Sequence, residues 1–191
     1  MKQAIILHGK PTKEGYYSSS RERNSQSNSH WLPWLQHELI LRDILAQTPE
    51  LPKPYEPKYE DWKRIFEQLQ PDKDTLLVGH SCGGGFLLRW LSENKHIKVG
   101  KVMLVAPSLG QDWEDTTGFM NFKIDPDFIN RTDGVTIFYS DDDKPGIGEA
   151  VSRITELIPK AKLITFHGRG HFTEKSNLII EFPELLEECI K

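Results

Sequence analysis

The stretch Thr75-Leu76-Leu77-Val78-Gly79-His80-Ser81-Cys82-Gly83-Gly84-Gly85-Phe86-Leu87-Leu88-Arg89-Trp90-Leu91 decides the fold. A short apolar run of strand character is joined to an apolar run of helical character by Gly79-His80-Ser81-Cys82-Gly83, a G-x-S-x-G turn. Such a strand-to-helix turn lifts its central side chain to the top of a sheet in strained backbone geometry. The flanking positions must be glycine because a Cβ there would collide with the neighbouring elements. Ser81 is therefore the candidate nucleophile.

A serine hydroxyl is a weak nucleophile at neutral pH, so Ser81 needs a base to take its proton and a carboxylate to orient that base. Both follow downstream. Val135-Thr136-Ile137-Phe138-Tyr139 reads as a buried strand and ends in Ser140-Asp141-Asp142-Asp143. Ala161-Lys162-Leu163-Ile164-Thr165-Phe166 reads as the last strand and runs into His167-Gly168-Arg169-Gly170-His171-Phe172. The order Ser, Asp, His, with both partners just past strand ends, is the order and place that open α/β sheets give this chemistry. These segments leave the acid open among three consecutive aspartates and the base open between His167 and His171.

The rest of the chain alternates in the same way. Ala4–Leu7, Ile44–Gln47, Leu76–Val78 and Lys101–Val105 read as further strands. Trp31–Leu41, Glu60–Leu69, Gly84–Glu93, Glu149–Ile158 and Ile179–Ile190 have helical period, the last starting or restarting near Pro183. This alternation predicts a doubly wound, mostly parallel sheet of about six strands with helices on both faces. A length of 191 residues fits one domain spanning 1–191. The polar run Ser18 to Ser29 has no apolar period and predicts a mobile loop within about residues 10–30.

Composition excludes several classes. A net charge of −4 gives no basic footprint for nucleic acid. No apolar run approaches a membrane span, and His8-Gly9-Lys10 interrupts the first apolar run too early for a signal peptide. Two cysteines, one beside Ser81, do not form a disulfide framework, so a cytoplasmic location is expected. The His167/His171 spacing lies across two glycines rather than on a helical face, which argues against a metal site, and no cofactor motif is present.

The Gly79–Gly83 elbow, the aspartates after a strand and the terminal Gly170-His171-Phe172 resemble the small serine hydrolases of the α/β-hydrolase superfamily similar to retinoblastoma-binding protein 9. His30-Trp31-Leu32-Pro33-Trp34-Leu35 and Glu60-Asp61-Trp62 resemble helix starts of the same family, so the likeness spans most of the chain. It departs from the family in the polar insertion after the first strand. It departs again at Lys144-Pro145-Gly146, where members often carry a hydrophobic residue before proline. The resemblance implies an α/β-hydrolase fold with a minimal cap, His171 as base and Asp143 as acid, with Asp142 as the alternative.

Acyl transfer also needs donors aimed at the oxyanion. The backbone N–H of Cys82, directly after the nucleophile, is one. The likeness of His8-Gly9-Lys10 to the superfamily's His-Gly-x loop implies the Lys10 N–H as the second, with Gly9 as the alternative. Trp113, Phe119 and Phe122, between the fourth and fifth strands, are the candidate substrate-binding residues of a small cap. The expected activity is hydrolysis of carboxylic esters with small or short-chain acyl groups. The other class left open is a hydrolase-fold module that binds a protein partner.

Overall fold

In the computed structural model, which describes residues 2–18, 25–177 and 179–191, the chain forms one six-stranded sheet. The strands are β1 (Gln3–Leu7), β2 (Leu45–Gln47), β3 (Thr75–His80), β4 (Val102–Val105), β5 (Val135–Ser140) and β6 (Lys162–Phe166). Their spatial order is β2-β1-β3-β4-β5-β6, and every neighbouring pair is parallel. The helices are α1 (Lys13–Ser18), α2 (Leu32–Ile40), α3 (Tyr59–Gln68), α4 (Cys82–Glu93), α5 (Pro145–Leu157), α6 (Glu174–Asn177) and α7 (Pro183–Ile190).

Every residue of β3 and of β4 is buried. Successive strand residues point to opposite faces, so both faces of the sheet must be covered, and this is why these strands read as continuous apolar runs. Trp31 meets Phe182 edge to face at 5.9 Å, joining the start of α2 to the start of α7. Phe66 of α3 meets Phe86 and Trp90 of α4 at 5.3 and 4.9 Å. The two edges are weaker: β2 has three residues, and Lys162, Leu163 and Thr165 of β6 are exposed.

Strand order places the site. From β1 the chain moves outward to β2, and from β3 it moves the other way to β4. The loops leaving β1 and β3 therefore diverge and open a crevice at the carboxyl ends of adjacent strands, where α/β sheets hold their ligands. Ser81 follows β3 and His8-Gly9-Lys10 follows β1, so both border that crevice.

Three expectations change. The segment after β1 is not one polar loop: it contains α1 and a 3-10 turn at Gln26–Asn28, with Ser27 buried and its N–H donated to Glu50 at 2.9 Å. Residues 19–24 of that segment lie outside the described residues. Helix α5 begins at Pro145 rather than Glu149, because proline is tolerated in the first helical turn where no intrahelical acceptor exists for its missing N–H. Finally, Phe119 of the β4–β5 connection lies in the core. Arg89 of α4 donates to the carbonyls of Gly118 and Phe119, both at 2.9 Å, and Phe119 is fully buried against Trp62 at 4.9 Å. Among the described residues no helix is long and apolar enough to cross a membrane.

Candidate active site

Ser81 sits between β3 and α4 with φ 53° and ψ −116°. That conformation is unfavourable for a residue with a Cβ, by about 1–3 kcal/mol, and persists only where the surroundings over-determine it. They do so here. The Ser81 N–H donates to the Val105 carbonyl at 2.8 Å, and its carbonyl accepts from Gly85 and Ser108, both at 3.1 Å. A Cβ on Gly79 would lie 2.7 Å from the Gly83 carbonyl oxygen, and one on Gly83 would lie 2.6 Å from the His8 carbonyl oxygen. The two motif glycines let α4 descend directly onto β1 and β3.

Three aspartates at the end of β5 have three different partners. Asp143 is buried, with its side chain 1% exposed, and its two carboxylate oxygens lie 2.9 and 2.8 Å from His171 Nδ1. It also accepts the Lys144 N–H at 2.7 Å. Asp142 instead accepts from the Ser140 hydroxyl at 2.6 Å and the Gly170 N–H at 2.9 Å, and these bonds hold its carboxyl below the usual carboxylate range. Asp141 pairs on the surface with His167, whose side chain is 85% exposed.

His171 Nε2 lies 3.0 Å from Ser81 Oγ. With Nδ1–H donating to Asp143, Nε2 is the bare nitrogen that accepts the Ser81 hydroxyl proton. The structure thus brings Ser81, His171 and Asp143 into one hydrogen-bonded row and leaves Asp142 and His167 outside it. Among the described residues, no group of three or more His, Cys, Asp or Glu side chains is arranged to hold a metal ion.

The wall supplied by β1 is ordered by a buried histidine. His8 Nδ1–H donates to the Gly9 carbonyl at 2.8 Å, and its Nε2 accepts the Leu51 N–H at 3.0 Å. Burial pushes the pKa of this imidazole down, which keeps it neutral with one donor and one acceptor. Carbonyl and N–H of a trans peptide point in opposite directions, so the bond to Gly9 turns the Lys10 N–H away from the His8 ring. Cys82 opens α4, where a backbone N–H has no intrahelical acceptor. Its thiol is buried, which pushes its pKa well up and leaves it un-ionised.

A cavity of about 450 Å³ opens over Ser81 and His171. Its walls come from the segment after β1 (Lys10, Thr12, Gln26, His30) and from the segment after β6 (Thr173, Lys175). Trp113, Phe119 and Phe122 are absent from these walls. Phe119 belongs to the core, and Phe122 is partly buried against it. Trp113 donates to the Ser108 hydroxyl at 3.2 Å, with the Lys10 ammonium 5.0 Å above its ring.

Several ordering contacts had no sequence signal. His80 bonds the carbonyl of His171, Trp31 bonds that of Phe172, and His30 Nδ1 accepts the Glu174 N–H. Each spans more than ninety positions of chain, where no local spacing can register it. Trp31 stood out only as a residue at a helix start.

A family model described as serine hydrolase matches residues 22–186. The chain belongs to this serine hydrolase family. YdeN of Bacillus subtilis (strain 168), named as a hydrolase, is 30% identical over 183 residues, which is 91% of this chain and 87% of YdeN. The crystal structure of the B. subtilis ydeN gene product matches with a TM-score of 0.80 at 24% identity, over 100% of this chain and 97% of that one. Est1E of Butyrivibrio proteoclasticus, solved with ferulic acid bound, matches with a TM-score of 0.66 at 15% identity, over 100% of this chain and 90% of its own. The elbow and the row of Ser81, His171 and Asp143 thus sit in a member of the serine hydrolase family with an α/β-hydrolase fold.

Proposed function

We propose that this serine hydrolase cleaves carboxylic esters through an acyl-enzyme on Ser81. The observation that carries the reading is the single imidazole of His171, held within hydrogen-bond distance of the Ser81 hydroxyl by one nitrogen and of the buried Asp143 carboxylate by the other. In the first half-reaction Ser81 Oγ attacks the ester carbonyl while His171 Nε2 takes its proton. Asp143 keeps the proton of Nδ1 in place and stabilises the imidazolium. The backbone N–H groups of Cys82 and Lys10 are the donors for the oxyanion, each such donor being worth about 2.7–4 kcal/mol of barrier.

Collapse of the tetrahedral intermediate expels the alkoxide, which leaves as the alcohol with the proton from His171. Water then attacks the acyl-Ser81 carbonyl, giving its proton to His171, and the second collapse releases the acid and returns the proton to Ser81. The cavity volume falls within the usual range for small-molecule sites and has room for a small or short-chain acyl group.

The test is labelling by a fluorophosphonate probe at neutral pH, followed by turnover of p-nitrophenyl esters of increasing acyl length. The wild-type protein is expected to be labelled on Ser81 and to favour short acyl groups, whereas Ser81→Ala shows neither labelling nor turnover. Unmodified Ser81 under conditions that label a control esterase would leave the hydrolase-fold binding module as the better reading.

A further inference from the structure

His80, the residue just before Ser81, lines the cavity beside Ser81 and His171 and is held against both. It is 3% exposed. Its Nε2 lies 2.9 Å from the backbone carbonyl oxygen of His171. A carbonyl oxygen can only accept, so Nε2 carries the proton and Nδ1 is bare. The His80 and His171 rings lie 5.1 Å apart, and the Trp31 ring packs edge-on against His80 at 5.8 Å. On its other side the ring abuts the loop after β1, where a Cβ on Gly9 would come 3.4 Å from His80 Nδ1 and 3.2 Å from Ser81 Cβ.

The segment that presents His171 needs external support. Gly168, Gly170 and Phe172 all have left-handed backbone, with φ of 69°, 51° and 52°. A non-glycine residue such as Phe172 holds that conformation only under constraint. The constraint acts on two successive carbonyls: His171 O accepts from His80, and Phe172 O accepts from Trp31 Nε1–H at 3.1 Å. Trp31 itself is fully buried. His80 differs from Trp31 in being part of the elbow, so its bond ties the backbone of the base to the backbone of the nucleophile.

We propose that His80 is a positioning residue of this serine hydrolase: its Nε2–H, anchored next to Ser81, holds the His171 backbone at the height where the His171 ring reaches Ser81 Oγ. The proposal rests on the reading of Ser81 and His171 as nucleophile and base. Burial, followed by the neighbouring His171 and His30, holds the His80 pKa well below its usual value, so the ring remains a neutral single donor at neutral pH. Without the bond, the base loop keeps its fold through Asp142 and Trp31 but loses its register against the elbow. A displacement of about 1 Å in such a pair costs about 10²-fold in rate.

Two variants test this in the full chain. His80→Leu fills the site without a donor, and His80→Gln carries an amide N–H that reaches the same carbonyl. With a short-chain p-nitrophenyl ester, His80→Leu is expected to lower kcat by about 10²-fold at nearly unchanged KM, and His80→Gln to restore most of it. Circular dichroism and thermal midpoint report whether each variant is folded. The second readout needs no turnover: the His171 Nδ1 proton bonded to Asp143 is followed by NMR in ¹⁵N-histidine-labelled protein. Its resonance is expected to be sharp in wild type and His80→Gln and to be broadened or shifted in folded His80→Leu. If Leu and Gln depress kcat equally, or if folded His80→Leu keeps both wild-type kcat and the wild-type resonance, His80 only fills space and the proposal falls. Absence of turnover and labelling in the wild type would instead sink the catalytic reading of Ser81, and the resonance alone would then decide whether His80 positions His171.

Discussion

Asp142 Oδ1 accepts the Gly170 N–H at 2.9 Å, so the carboxylate beside the one facing His171 ties down the residue immediately before that histidine. The adjacent acids therefore differ in kind, one acting on the ring and the other on the loop. Asp143→Asn is expected to lower ester turnover by about 10⁴-fold by presenting the wrong partner to Nδ1–H. Asp142→Ala is expected to cost roughly 10² or less through misplacement of the base. Asp141→Asn leaves turnover unchanged. Steady-state kinetics of the three variants decide the assignment, and a severe loss in Asp142→Ala beside a mild one in Asp143→Asn would move the acid by one residue.

The strain at Ser81 predicts a trade between stability and activity. Ser81→Gly removes the Cβ that makes φ 53° unfavourable, so it is expected to stabilise the fold by about 1–3 kcal/mol while abolishing turnover. For a chain of this size the thermal midpoint should rise about 2–4 °C for each kcal/mol. An unchanged or lower midpoint would show that the elbow carries no stored strain.

Two buried histidines set an acid limit. His8 and His80 both have folded-state pKa values below the ordinary 6.5, chiefly through burial. Below about pH 6.5 the unfolded chain therefore binds protons at these positions that the folded chain does not, and stability falls as pH falls. It is fully present above that pH and is lost progressively down to the folded-state values. Each histidine contributes a slope of up to about 1.4 kcal/mol per pH unit within the window. Urea denaturation between pH 7.5 and 5 checks this, and a flat profile would mean that the two rings take up protons in the folded protein as readily as in the unfolded chain.

Phe119 is a core residue in a segment that reads as a cap. Phe119→Ala is expected to destabilise the fold by about 3–5 kcal/mol while KM of the folded fraction for short esters is unaltered. Phe122→Ala should likewise leave KM unchanged. A selective rise in KM in either variant would restore these aromatics to the substrate site.

Gln26 and Ser29 line the cavity and are not members of the hydrogen-bonded row of Ser81, His171 and Asp143. Replacing both by alanine is expected to alter KM for bulky esters and to spare kcat for a small ester. A collapse of small-ester turnover in the folded double variant would place this segment in the chemistry itself.

The sequence by itself determined the sheet and the row of candidate residues. An apolar strand, a G-x-S-x-G turn and an apolar helix are consecutive, and strand ends carrying aspartates and histidines follow in order, so each signal is local and survives without coordinates. Only the tertiary structure decided which aspartate faces His171, because three identical side chains in one turn differ only in direction. It also moved Phe119 from a cap to the core, since burial depends on what a segment packs against and not on its composition. The clamps from His80 and Trp31 were invisible for a further reason. They join side chains to backbone carbonyls 91 and 141 positions away, and a carbonyl has no residue identity for a sequence to display.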